Sequence, residues 1–148
     1  MSYFGHSGYL EQIFIPKKLA STSKRVAKKL LKLQKTLQFD AIAFRGNSGA
    51  GIAYPVSMLT GIPLICVRKG EKSHGQKVEA AQRSIYRYVV LDDFISDGGT
   101  LESIIKTIRL VTDNETRCVG VALYDSVRRS SYYISYRGKD TELPVFNV

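Results

Sequence analysis

The sequence is poor in the groups that form bridges, hold soft metals or cross membranes. Its 148 residues include two cysteines, Cys66 and Cys118, and two histidines, His6 and His74. That set is too small and too scattered for a tetrahedral zinc site. Each cysteine sits in a short apolar run, as a buried reduced thiol does, so no redox chemistry is expected. A bound metal would have to be held by oxygen. No apolar run approaches the roughly 20 residues of a membrane helix, and the first residues lack the basic-then-apolar pattern of a secretory leader. The expectation is a cytoplasmic protein with no membrane segment.

Acid is also scarce where base is abundant. No Asp or Glu separates Glu11 from Asp40, whereas eight Lys or Arg residues fall between Lys17 and Lys35, and the formal net charge is +9. This stretch reads either as a solvated helix face or as a surface for nucleic acid or a phosphorylated ligand. What is present in quantity is core material. With 44% hydrophobic and 24% charged residues, residues 1–148 have the composition of one domain with a real core.

Along the chain, the aromatic and aliphatic residues of the first 16 positions suggest a strand or cover over a neighbouring site. Val26, Leu30, Leu33 and Leu37 recur at helical spacing, with Ser21, Thr22 or Ser23 expected as N-cap. Phe39 to Phe44 reads as a strand, Arg45 to Gly51 as a glycine-rich loop, and the following stretch as a helix stopped by Gly61. Ile62 to Val67 is expected to be a second strand and Arg68 to Arg83 a long mobile loop. A third strand, Tyr88 to Leu91, precedes a helix marked by Leu101, Ile104, Ile105, Ile108 and Val111, and Val119 to Tyr124 supplies a fourth strand. Near-continuous apolar strands alternating with helices predict an α/β fold, a parallel sheet covered by helices on both faces. Ligands in such sheets sit at the carboxyl ends of the strands.

The segment Val89 to Thr100 carries the chemistry. A buried strand ends in Asp92 and Asp93, and a small-residue turn then feeds a helix. Backbone N–H groups of Asp97, Gly98, Gly99 and Thr100 can converge on a phosphate, because glycine admits close approach and the helix dipole favours an anion. The Thr100 hydroxyl can add a donor. Asp92 and Asp93 stand about one sugar away, placed to accept ribose hydroxyls or to hold Mg²⁺. A strand–turn–helix junction needing only a capping Asp explains one carboxylate but not two in tandem.

This segment, Val89-Val90-Leu91-Asp92-Asp93-Phe94-Ile95-Ser96-Asp97-Gly98-Gly99-Thr100, resembles the phosphoribosyl pyrophosphate signature of type I phosphoribosyltransferases. Upstream, Pro63 to Gly75 is similar to the strand and basic loop of the adenine phosphoribosyltransferases, and Arg45-Gly46 to the same family's other pyrophosphate loop. The resemblance runs from Phe39 to Tyr124. It implies a core of about residues 38–124, with a small hood assembled from about 1–37 and 125–148. It also implies transfer of the phosphoribosyl group to a nucleobase in nucleotide salvage, with release of pyrophosphate, by a magnesium-dependent homodimer. The phosphoribose would be bound by Asp92, Asp93, Ser96, Asp97, Gly98, Gly99 and Thr100, and pyrophosphate by Arg45, Gly46, Arg68, Lys69 and Lys72. Asp92 and Asp93 would be the catalytic and metal-binding pair. His74, alone in a polar loop, is read as solvated.

Two features depart from the family pattern. Asp97 stands where the family has Thr or another small neutral residue, and a carboxylate within about 4 Å of a phosphate costs between about 1 and 4 kcal/mol per unit charge. The expectation is that it turns outward. Ser96, where hypoxanthine-guanine transferases carry Asp, leans towards an adenine-type, purine-like base. The tail Arg128 to Arg137 interleaves cations with tyrosines, as a half-buried edge strand does and as a base-stacking or RNA-binding surface does. Together with the basic helix and Asp97, it leaves a second expectation open: a non-catalytic phosphoribosyl sensor or RNA-binding regulator on the same fold.

Overall fold

A computed structural model describes residues 4–70, 76–81 and 84–148. A 3-10 turn (Gly8–Leu10) and a short helix α1 (Glu11–Phe14) lead into α2 (Pro16–Leu37). Then follow β1 (Ala41–Phe44), α3 (Gly46–Thr60), β2 (Leu64–Val67), β3 (Val78–Ala80), β4 (Arg87–Asp92), α4 (Gly99–Val111), β5 (Arg117–Leu123), β6 (Ser131–Tyr136) and β7 (Lys139–Asn147). The seven strands form one sheet in the order β3-β2-β1-β4-β5-β7-β6. The five from β2 to β7 are parallel, and β3 and β6 are antiparallel edges.

The helices cover both faces as expected, and side-chain alternation explains how. Ala41 and Ala43 of β1, Tyr88 and Val90 of β4, and Val121 and Leu123 of β5 enter one core with Leu101, Ile104, Ile105 and Ile108 of α4. Ile42, Phe44, Val89, Leu91 and Ala122 point the other way, into a second core with Val26 and Leu30 of α2 and Ile52 and Val56 of α3. Strands buried on both faces cannot show a polar alternation, which is why they read as continuous apolar runs.

Three local expectations change. Helix α2 starts at Pro16, not after Ser21 to Ser23, because Ile15 is extended and proline is pre-set for the first turn, where its missing N–H costs nothing. Thr22 and Ser23 are instead buried on its inner face, and the Thr22 hydroxyl donates to Gln12 Oε1 at 2.7 Å. The glycines from Gly46 to Gly51 lie inside α3 rather than in a loop. There they are used for packing: a Cβ on Gly51 would lie 2.5 Å from the Ile13 side chain, so α1 docks directly on α3. Within the expected loop from Arg68 to Arg83, Val78–Ala80 pairs with β2 as an edge strand.

The largest change is at the C-terminus. Residues 131–147, assigned to the hood, extend the main sheet as β6 and β7. The alternation of Tyr132, Ile134, Leu143 and Val145 supplies the driving force, since all four are buried in the core beneath α4. Of the two readings of the Arg128 to Arg137 tail, the half-buried edge strand is the one observed.

Candidate active site

The parallel strands deliver one cavity at their carboxyl ends, of about 210 Å³, lined by Arg45, Ser48, Lys69, Asp92, Asp93, Ser96, Asp97, Gly98 and Thr100 among others. Residues distant in sequence thus meet where α/β sheets bind ligands. Sequence reasoning had paired these groups by resemblance, and the geometry brings most of them together.

Asp92 ends β4, and its Oδ1 accepts the Ser48 hydroxyl and the Asp93 N–H, both at 3.0 Å. Asp93 is only 5% exposed, and its Oδ1 accepts the Phe94 N–H at 2.8 Å. Burial, and then the neighbouring Asp93 charge, push the Asp92 carboxyl up to about 7. None of the salt bridges among the described residues reaches either carboxylate. Two adjoining acids drawn out of water without a counter-charge are suited to a hard cation or to several hydroxyl donors.

Two cations line the same cavity. Arg45 follows β1, reaches Ser103 on α4 with one guanidinium nitrogen, and keeps its Nε buried without a hydrogen-bond partner among the described residues. Gly46 has φ of 73°, and a Cβ there would lie 2.9 Å from Lys69 Nζ. The missing side chain lets the ammonium settle over the start of α3, so Arg45, Gly46 and Lys69 form one positively charged wall. Arg68 does not line the cavity: its guanidinium turns along the sheet edge to Glu79 at 3.5 Å. Lys72 and His74 lie outside the described residues.

The turn into α4 differs from expectation. Rather than facing outward, Asp97 places Oδ1 2.8 Å from the Gly99 N–H. The first N–H groups of a helix have no acceptor within it, and an Asp two residues upstream has the reach to supply one. The carboxylate therefore already occupies a donor that a phosphate would use. Beside it, the Tyr132 hydroxyl donates to Glu102 at 3.2 Å. A Cβ on Gly98, which has φ of 88°, would lie 1.7 Å from that hydroxyl oxygen. The edge strand β6 thus props the turn from the side.

Four contributors escaped sequence reasoning. Tyr9 reaches the cavity because α1 is anchored on Gly51. Ser48 binds Asp92, and the buried Tyr124 donates from its hydroxyl to the Ser48 carbonyl at 2.7 Å, fixing the start of α3 against β5. Tyr132 carries the C-terminal hairpin to the turn. Two of them carried a signal, Tyr9 in the aromatic residues of the first 16 positions and Tyr132 in the Arg128 to Arg137 pattern, and both were signals of composition, not of position.

No family model matches the chain. Among curated proteins it is similar to an orotate phosphoribosyltransferase of Methanosarcina acetivorans, 32% identical over 109 residues, covering 70% of this chain and 58% of the relative. It is also similar to a hypoxanthine/guanine phosphoribosyltransferase of Methanosarcina barkeri, 29% identical over 102 residues, covering 60% of this chain and 54% of the relative. The chain spans about half the length of these curated relatives. Among solved structures, an adenine phosphoribosyltransferase from Thermoanaerobacter pseudethanolicus aligns with a TM-score of 0.55 and 20% identity, over 74% of this chain and 68% of that one. At that identity the likeness establishes the fold. The three similar proteins are named for different bases: orotate, hypoxanthine and guanine, and adenine.

Proposed function

The chain belongs to the type I phosphoribosyltransferase family, and from that premise we propose that it transfers the 5-phosphoribosyl group of phosphoribosyl pyrophosphate to a purine-like nucleobase. The observation that carries the proposal is that one cavity is lined by both the Asp92–Asp93 pair and the cations Arg45 and Lys69. A phosphoribosyl donor carries the matching groups: hydroxyls for the acids and pyrophosphate for the cations.

The chemistry is a displacement at C1 of the sugar, with positive charge growing on the ring and negative charge on the departing pyrophosphate. Arg45 and Lys69, which both line the cavity, stabilise that leaving charge. Asp92 and Asp93 hold the ribose hydroxyls and would hold Mg²⁺, whose bound charge supplies further stabilisation of pyrophosphate. Their oxygen donors and unopposed negative charge fit such an ion. Gly98 and the Thr100 hydroxyl receive the 5-phosphate once Asp97 gives way. Tyr9, 53% exposed at the rim, offers a ring on which the base can stack. Ser96, small and exposed, leaves room for the base without contributing a carboxylate.

Asp97 favours a second reading, a protein that binds the phosphoribosyl group as a sensor or as an RNA-binding regulator and does not turn it over. One experiment separates the two. The chain is incubated with phosphoribosyl pyrophosphate, Mg²⁺ and each of the common nucleobases, and pyrophosphate release is followed. Base-dependent release is the expected result. Donor binding without release for every base overturns the transferase reading and leaves the sensor.

A further inference from the structure

At the opposite end of the sheet lies a second, larger cavity that the proposed reaction does not use. Its volume is about 530 Å³, in the range of ordinary small-ligand sites. Its charged lining residues are Arg109, Arg117, Arg137 and Lys139, with no Asp or Glu among the residues that line it. They come from four places: the last turn of α4, the start of β5, the turn between β6 and β7, and the start of β7. Helix α4 is 13 residues long and has the active-site cavity at its other end. Its rise sets the two cavities about 20 Å apart.

Two features make this more than a patch on a basic protein. The first is strand alternation. Along β7, Lys139 and Thr141 line the cavity on the side where Leu143 enters the core under α4. Asp140 and Glu142 alternate with them, and neither lines it. A strand with both signs of charge therefore presents only cations to the cavity. The second is a polar group on the strand beside it. Cys118 lines the cavity and pairs in register with Tyr88. The Tyr88 hydroxyl is buried without a hydrogen-bond partner among the described residues, and the Arg109 charge acts on both groups.

We propose that this cavity is a binding site for a compact anion carrying two or more phosphate groups, separate from the phosphoribosyl site. Guanidinium forks match phosphate oxygens two at a time, and the lining brings three such forks and one ammonium around a single cavity, an arrangement suited to more than one phosphate group. The Asn114 amide and the Thr141 hydroxyl add neutral donors at the rim. The proposal stands whether or not the chain is a transferase.

The test is a titration of the full chain with inorganic tripolyphosphate, followed by amide NMR so that the two ends of α4 are read separately. Shifts at residues 114–118 and 139–141 are expected, and inorganic phosphate should bind there at least tenfold more weakly. Arg117→Gln with Lys139→Gln should weaken that binding at least tenfold, while leaving shifts near Ser96 to Thr100 as they were. Lys28→Gln with Lys32→Gln removes the same charge from the exposed face of α2 and should change the affinity less than twofold. Should the double change disturb the spectrum generally, Lys139→Gln alone gives the same reading. The proposal is overturned if those amides do not move, if phosphate binds as well as tripolyphosphate, or if the α2 change weakens binding as much as the cavity change.

Discussion

The two halves of the segment from Asp92 to Thr100 answer opposite electrostatic questions. The first half leaves a demand open: Asp92 and Asp93 are drawn out of water, and no salt bridge among the described residues reaches them. The second half closes its own demand, since the Gly99 N–H that would greet a phosphate is held by Asp97. One half waits for a ligand and the other must release a tenant before a ligand can enter. Motif identity is thus compatible with very different contributions to binding, and affinity at one half says little about the other.

The comparison breaks most decisively at the acids. Asp92→Asn combined with Asp93→Asn should lower base-dependent pyrophosphate release by about 10³-fold, equivalent to about 4 kcal/mol of transition-state stabilisation. Circular dichroism would check that the fold survives. If the double variant keeps turnover, the first half is not the centre of the chemistry.

Stability gives the next largest effect. The folded-state carboxyl of Asp92 is raised above its ordinary value of 3.8 to about 7. Between those two values the folded chain holds a proton that the unfolded chain has lost, so stability should fall as pH rises through that window. Asp92→Asn removes the titrating group. In urea unfolding without Mg²⁺ it should gain about 2 kcal/mol over the native chain at pH 7.5 and nothing at pH 4. Equal stability of the two chains at both values would contradict the burial argument.

At the other half the effects are smaller and of opposite sign. Asp97→Thr should tighten donor binding about tenfold, or about 1.4 kcal/mol, by removing the carboxylate that competes for the Gly99 N–H. Calorimetric titration with phosphoribosyl pyrophosphate measures it, and unchanged affinity would show that Asp97 yields without cost. Smallest is Tyr132→Phe, which deletes the hydrogen bond to Glu102 while keeping the ring. A loss of about 1 kcal/mol in unfolding free energy is expected, with the acid half of the site unaffected.

What the sequence made legible was local. Asp92, Asp93, Gly98, Thr100, Arg45 and Lys69 were identified from three short stretches, and all six line the cavity. The alternation of strands and helices, and the two buried faces of the sheet, followed from apolar runs of the right length. What failed depended on distance or competition. The start of α2 was misplaced because three hydroxyl residues are good caps, but Pro16 lay upstream and set the first turn. Residues 131–147 were assigned to a hood because β6–β7 and β5–β7 pairing is decided by which strand is reachable, and no local pattern records that. The orientation of Asp97 was missed because it is settled by a vacant donor two residues away and not by repulsion from an imagined phosphate.

Gly98 and Tyr132 have a consequence for how this protein can be varied. A Cβ at position 98 would lie 1.7 Å from the Tyr132 hydroxyl oxygen, and the backbone there is left-handed with φ of 88°, so glycine is held at this position twice over. A library randomised at Gly98 alone will return glycine, and one that also shortens residue 132 removes the clash but leaves a left-handed backbone at position 98 that still favours glycine. The C-terminal hairpin, though far from the acids, thereby restricts which turns this chain can try.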